Sequence, residues 1–124
     1  MKRIVTALLA GGCILGMLAG SAAARMPYFS QFSEQYRENE PVAAAAKDAK
    51  CTVCHDPAAK KIRNEYGIAV NKFLTKADYD KLKDDAAALK KKISAALQAA
   101  EGEKNKEGKT FGEIIKSGKL PVAR

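Results

Sequence analysis

"KCTVCHDP", residues 50–57, sets two cysteines three positions apart and a histidine directly after the second. That histidine, His55, is the single one in 124 residues. Cys51 and Cys54 are two of the three cysteines in the chain. Two thiols and an imidazole within five residues form a dense set of ligating and nucleophilic groups. Their chemistry depends on where the chain ends up and on what kind of structure surrounds them.

Residues 1–24 bear on the first point. They read MKRIVTALLAGGCILGMLAGSAAA, a basic start at Lys2 and Arg3, an apolar run, then small residues. Ala22-Ala23-Ala24 fits the small-x-small rule for signal peptidase, so 1–24 reads as a signal peptide cleaved before Arg25. The competing reading is an uncleaved anchor, because Ile4 to Gly20 approaches spanning length. Glycines inside the run and the Ala-Ala-Ala exit favour cleavage. "AGGC", ending at Cys13, faintly suggests a lipoprotein site, but little apolar sequence precedes it and a full apolar stretch follows. The expected location is the periplasm or another exported compartment, with no stable membrane span after processing. Cys51 and Cys54 are then the only thiols left.

The processed chain, 25–124, is the size of one small domain, which buries a modest core and often depends on a covalent or metal staple. Much of its apolar content is alanine, and it has no tryptophan. A large apolar cofactor would help such a lean sequence stay folded. The full chain carries a formal charge of +8, and loss of Lys2 and Arg3 leaves +6. Charge of this size favours solubility and steers the protein toward acidic partners. Nucleic acid is not expected as a partner, since an exported protein seldom meets it and no nucleic-acid-binding motif is present.

The pattern around the motif is helical throughout, with no alternating run of β-formers. Phe29, Phe32 and Tyr36 make an aromatic stripe on a first helix. Pro41 suits the start of a second, capped by Asn39 or Glu40 and running into Cys51. Ile62, Tyr66, Ala69, Val70 and Phe73 share a face after the motif. Tyr79, Leu82, Ala86, Leu89, Ile93 and Leu97 predict one long helix from Thr75 to Ala100, opened by a Thr75/Asp78 capping box. "EGEKNKEGK", 101–109, is a loop by composition. A final helix opens with a Thr110/Glu113 box and closes at Gly118, with Leu120 and Pro121 beyond it. "YG" at 66–67 and "FG" at 111–112 are too short to make a repeat. The expected fold is all-α, with four or five helices.

In an exported helical domain, C-x-x-C-H reads as a haem c attachment site. Each sulfur adds to one vinyl group, and a two-residue spacer lets one turn of backbone present both thiols to one porphyrin edge. The following imidazole then binds iron axially. Zinc would want four ligands, usually in two pairs, and no second pair exists. A redox dithiol would be expected in a βαβ context. A Cys51–Cys54 disulfide would close a tiny loop and stabilise little.

On "CTVCH" and the order of elements around it, the chain resembles the class I cytochrome c family. "CTVCHDPAAKKIRNEYGIAV" (51–70) and "TFGEIIKSGKLP" (110–121) look like small exported bacterial cytochrome c-like proteins. The resemblance implies one covalent haem, with iron held by His55 and thioethers at Cys51 and Cys54. It also implies that the first and last helices cross near the haem. The chain departs from the family in having no methionine after Met26 and no second histidine, so the usual distal ligand is missing. Met26 could fold back, a lysine or tyrosine could bind, or the sixth position could stay open. The expected role is periplasmic electron transfer rather than enzymatic catalysis, with acidic redox partners docking on a basic surface that includes Lys60, Lys61 and Arg63. The alternative is an open-site haem protein that binds a small ligand, or the haem subunit of a larger redox complex.

Overall fold

A computed structural model describes residues 25–59 and 61–122; the signal-peptide reading of 1–24, and Lys60, lie outside them. Among the described residues there are six α-helices and no strand, so the all-α expectation holds. The helices are α1 (Met26–Gln35), α2 (Glu40–Ala49), α3 (Glu65–Phe73), α4 (Lys76–Leu82), α5 (Ala86–Ala100) and α6 (Phe111–Lys116). None of them is long and apolar enough to cross a membrane.

Local chemistry sets most of the helix ends. Asn39 Oδ1 accepts from Val42 N to start α2, and the same side chain donates to Ile115 O at 2.8 Å, tying α2 to α6. Thr75/Asp78 and Thr110/Glu113 form complete capping boxes on α4 and α6. In each box the carboxylate accepts from the cap's backbone N–H and hydroxyl, which holds its pKa below the ordinary value. Gly118 has φ 81 and closes α6 with Gly118 N→Ile115 O and Lys119 N→Ile114 O bonds, a Schellman ending.

The sixth helix arises from a break in the expected long one. Asp85 Oδ1 accepts from Ala88 N at 3.0 Å, and Asp85 N donates to Leu82 O, so the chain stops and restarts between Leu82 and Ala86. Aspartate competes for backbone donors in this way at caps and turns. The expected stripe is interrupted there and Ala86 is exposed. Beyond it Leu89, Ile93, Ala96, Leu97 and Ala100 are buried along one face of α5.

α5 is the spine of the domain, with α3 and α1 packed on it. The main partner of α1 is α5. Above the spine sits an aromatic cluster. Phe32 meets Tyr36 with ring centroids 4.8 Å apart and Tyr66 at 5.9 Å, and Tyr66 meets Phe111 at 5.3 Å. Edge-to-face geometry adds to the burial of these rings. The Tyr36 hydroxyl donates to Glu101 Oε1 at 2.6 Å, and burial followed by that carboxylate pushes its pKa far up.

The short "YG" and "FG" pairs turn out to share a job. Each places a buried aromatic ring in the cluster and a glycine against a neighbouring backbone. A Cβ on Gly67 would lie 2.0 Å from Cys54 O, and one on Gly112 would lie 3.1 Å from Glu101 O.

Candidate functional site

The Cys-x-x-Cys-His segment forms the turn between α2 and α3. α2 stops at Ala49, and Lys50 takes φ 50, the only positive φ outside glycine among the described residues. That kink opens a single 3-10 turn, Lys50–Val53. Cys54 N and His55 N both donate to Cys51 O, at 3.3 and 3.0 Å, so one carbonyl gathers the three candidate residues. His55 and Arg63 then pair across an antiparallel bridge, and Asp56 N donates to Ile62 O. Asp56 Oδ1 accepts from Ala58 N, which makes Asp56 the turn residue that its place before Pro57 implies.

Two residues that sequence reasoning passed over hold this turn. Asn64 caps α3 by accepting from Gly67 N at 2.8 Å, while its Nδ2 donates to Thr52 O and Val53 O at 3.1 and 3.0 Å. Its backbone N–H donates to Cys54 O. Gly67 lets α3 lie directly on that same Cys54 carbonyl. The signal was "NEYG", an asparagine cap three residues before a glycine. Because Asn64 starts α3 at Glu65, Ile62 falls outside the helix and is 59 % exposed, not part of the buried face expected for it.

Cys51, Cys54 and His55 line one cleft, together with Phe29, Phe32, Val53, Val70, Leu74, Ile93 and Leu97 from α1, α3, α5 and the turn. Arg25, Tyr28 and Lys50 complete the lining. Counted out to its mouth and including the open solvent there, the cleft spans about 470 Å³. Both thiols are unbonded, so the structure holds no Cys51–Cys54 disulfide. Burial pushes the Cys54 thiol up to about 12, with Arg63 a smaller opposing influence.

Met26 sits at the start of α1, 66 % exposed and outside the cleft lining, although Arg25 beside it lines the cleft. Glu65 pairs with Lys106, and Glu113 caps α6. Lys61 is exposed and Arg63 half-buried on the strand-like return next to His55. Among the described residues no group of three or more His, Cys, Asp and Glu side chains is placed to hold a metal ion unaided.

The donor set, two thiols and an imidazole beside hydrocarbon side chains, suits a largely apolar cofactor held through sulfur and nitrogen better than a bare ion. Cys51, Cys54 and His55 share the lining with seven hydrocarbon side chains. No family model matches this chain, and comparison with curated proteins and with solved structures finds no match either.

Proposed function

We propose that this protein is a monohaem c-type cytochrome of the periplasm, an electron carrier rather than an enzyme. The observation that carries the reading is the convergence of Cys51, Cys54 and His55 on one apolar cleft. In this reading Cys51 and Cys54 hold the haem as thioethers and His55 is the proximal iron ligand. The haem supplies a reversible one-electron centre. The chain supplies the rest: the Asn64 and Gly67 contacts keep the attachment turn rigid, and the apolar wall excludes water from the macrocycle. A low-dielectric surround and axial ligation are the protein's levers on potential. Exposed lysines, Lys61 among them, steer brief encounters with acidic redox partners.

The placement of Met26 favours a second reading of the distal side, an iron with an open sixth position that binds a small ligand, alone or within a larger redox complex. Spectroscopy separates the two. A high-spin ferric spectrum and carbon monoxide binding to the ferrous form are expected for the open site. A low-spin spectrum indifferent to carbon monoxide restores a protein ligand and rejects it. The haem reading as a whole is tested by intact mass of the exported protein. One added macrocycle is expected, and it disappears when Cys51 and Cys54 are both replaced by alanine. An exported, folded chain of bare polypeptide mass overturns the proposal.

A further inference from the structure

One buried hydrogen bond lies behind the cleft and takes no part in holding the attachment turn. Tyr36, at the end of α1, donates its hydroxyl to Glu101 Oε1 at 2.6 Å. Tyr36 is 9 % exposed, and Glu101 is half-buried at the end of α5. Burial, and then the carboxylate, push the phenol's pKa far up, so its proton does not leave by ordinary ionisation. Gln35 Nε2 also donates to the Tyr36 hydroxyl, at 3.4 Å, and Ser94 Oγ holds that amide by donating to Gln35 Oε1 at 2.9 Å. The phenol oxygen therefore sits between a base that can take its proton and a donor that can stay with the oxygen afterwards.

The other tyrosines lack such a base among the described residues. The side-chain partner of Tyr28 is Arg25, which has no lone pair for a proton, and Tyr66 meets the Tyr36 hydroxyl itself. Tyr79 lies beneath the Arg25 guanidinium. Tyr36 is also one ring away from the cleft. Phe32 lines the cleft, and its ring centroid is 4.8 Å from that of Tyr36.

We propose that Tyr36 is a redox-active tyrosine, which gives one electron to an oxidised centre in the cleft while its hydroxyl proton passes to Glu101. This rests on the haem reading above, in its open-site form. The oxidant is a hydroperoxide. Cleavage of its O–O bond takes two electrons from the haem and two protons from solvent, and leaves water and an alcohol, or two waters from hydrogen peroxide. Tyr36 returns one of those electrons. Its O–H bond breaks, a carboxyl O–H forms on Glu101 Oε1, and a neutral phenoxyl remains, with its oxygen accepting from Gln35 Nε2. Moving the proton with the electron avoids a buried cationic phenol, which an apolar core disfavours. Tyr36 so draws an oxidising equivalent off the macrocycle and holds it in the core.

The test mixes the ferric holoprotein with hydrogen peroxide, freezes it and records electron paramagnetic resonance. A tyrosyl signal is expected, narrowed in protein labelled with ring-deuterated tyrosine. Y36F keeps the ring and its packing and should lose the signal, whereas Y79F should keep it. E101Q keeps an acceptor for the hydroxyl but not a base, and should slow radical formation about a hundredfold. A signal of wild-type size in Y36F, or a wild-type rate in E101Q, overturns the proposal. A high-spin holoprotein that binds carbon monoxide yet gives no tyrosyl signal overturns it while leaving the haem reading intact. A protein with no macrocycle mass removes both. Should Y36F fail to accumulate, peptide mapping of spin-trap adducts on the wild type decides: an adduct on Tyr36 is expected, and adducts confined to other residues overturn the proposal.

Discussion

The segment from Lys50 to Gly67 and the helix α5 hold their shapes by opposite means. α5 is fixed by area: Leu89, Ile93, Ala96, Leu97 and Ala100 disappear into a core shared with α3 and α1. Burial of this kind is non-directional and tolerates hydrophobic substitutions of similar volume. Among its described residues the 50–67 segment has one 3-10 turn and an isolated bridge before α3 begins, and is fixed instead by particular atoms, namely Asn64 Nδ2 and Oδ1, the Cys54 carbonyl and the missing Cβ of Gly67. A site that must present two sulfurs and an imidazole in one arrangement is built from directional contacts. The scaffold behind it can rely on area.

Gly67→Ala is the hardest blow to that contrast. Its Cβ would sit 2.0 Å from Cys54 O, and that oxygen already accepts from Asn64 N, so it cannot swing aside freely. The expected loss exceeds about 4 kcal/mol in urea unfolding, and the cofactor is lost with it. Gly112→Ala, whose closest neighbours lie at 3.1 Å, is expected to be far milder. Equal effects of the two would mean that the Cys54 contact is not specially tight.

Ile93→Ala comes next. Ile93 is 1 % exposed and lines the cleft from α5, and its truncation is expected to lower stability by about 3 kcal/mol. Ile93→Val should lower it by about 1 kcal/mol. If area is what holds α5, the two values will scale with the methyl groups removed.

Asn64→Ala removes one cap acceptor and two donors to the motif backbone, for about 2 kcal/mol. Asn64→Asp keeps the acceptor to Gly67 N and loses the donors to Thr52 O and Val53 O, so it should fall between wild type and alanine. An aspartate variant as stable as wild type would show that the cap alone matters.

The smallest effect is electrostatic. The carboxyls of Asp78 and Glu113 are held below their ordinary range, first by the backbone N–H of Thr75 and Thr110 and then by their hydroxyls. A folded pKa below the unfolded one contributes stability that is present above the ordinary carboxylate range and lost as pH falls through the depressed value. Urea midpoints should therefore decline on acidification through that window, and D78N/E113Q should flatten the slope. No change in slope would remove the capping boxes from the acid response.

Legibility in the sequence followed the range of the interactions. Both capping boxes, the Asn39 cap, the Gly118 ending and the buried stripe of α5 depend on residues within a few positions of each other, and propensity and spacing display them directly. The break at Asp85 was local too, and went unread because an apolar stripe runs across it. Spacing alone puts Ile62 on a buried face, yet the Asn64 cap decides that the helix does not reach it.

From the sequence by itself came the helical class, most helix ends and the five-residue cluster of ligating groups, since each is a statement about neighbours along the chain. Only the tertiary structure brought Arg25 and Tyr28, from α1 and its cap, to the cleft that Cys51 and His55 line, and laid Gly67 on the carbonyl of Cys54. The physical reason is that such contacts join segments whose meeting is decided by how the apolar faces of α1, α3 and α5 pack, and no local pattern encodes the outcome of that packing.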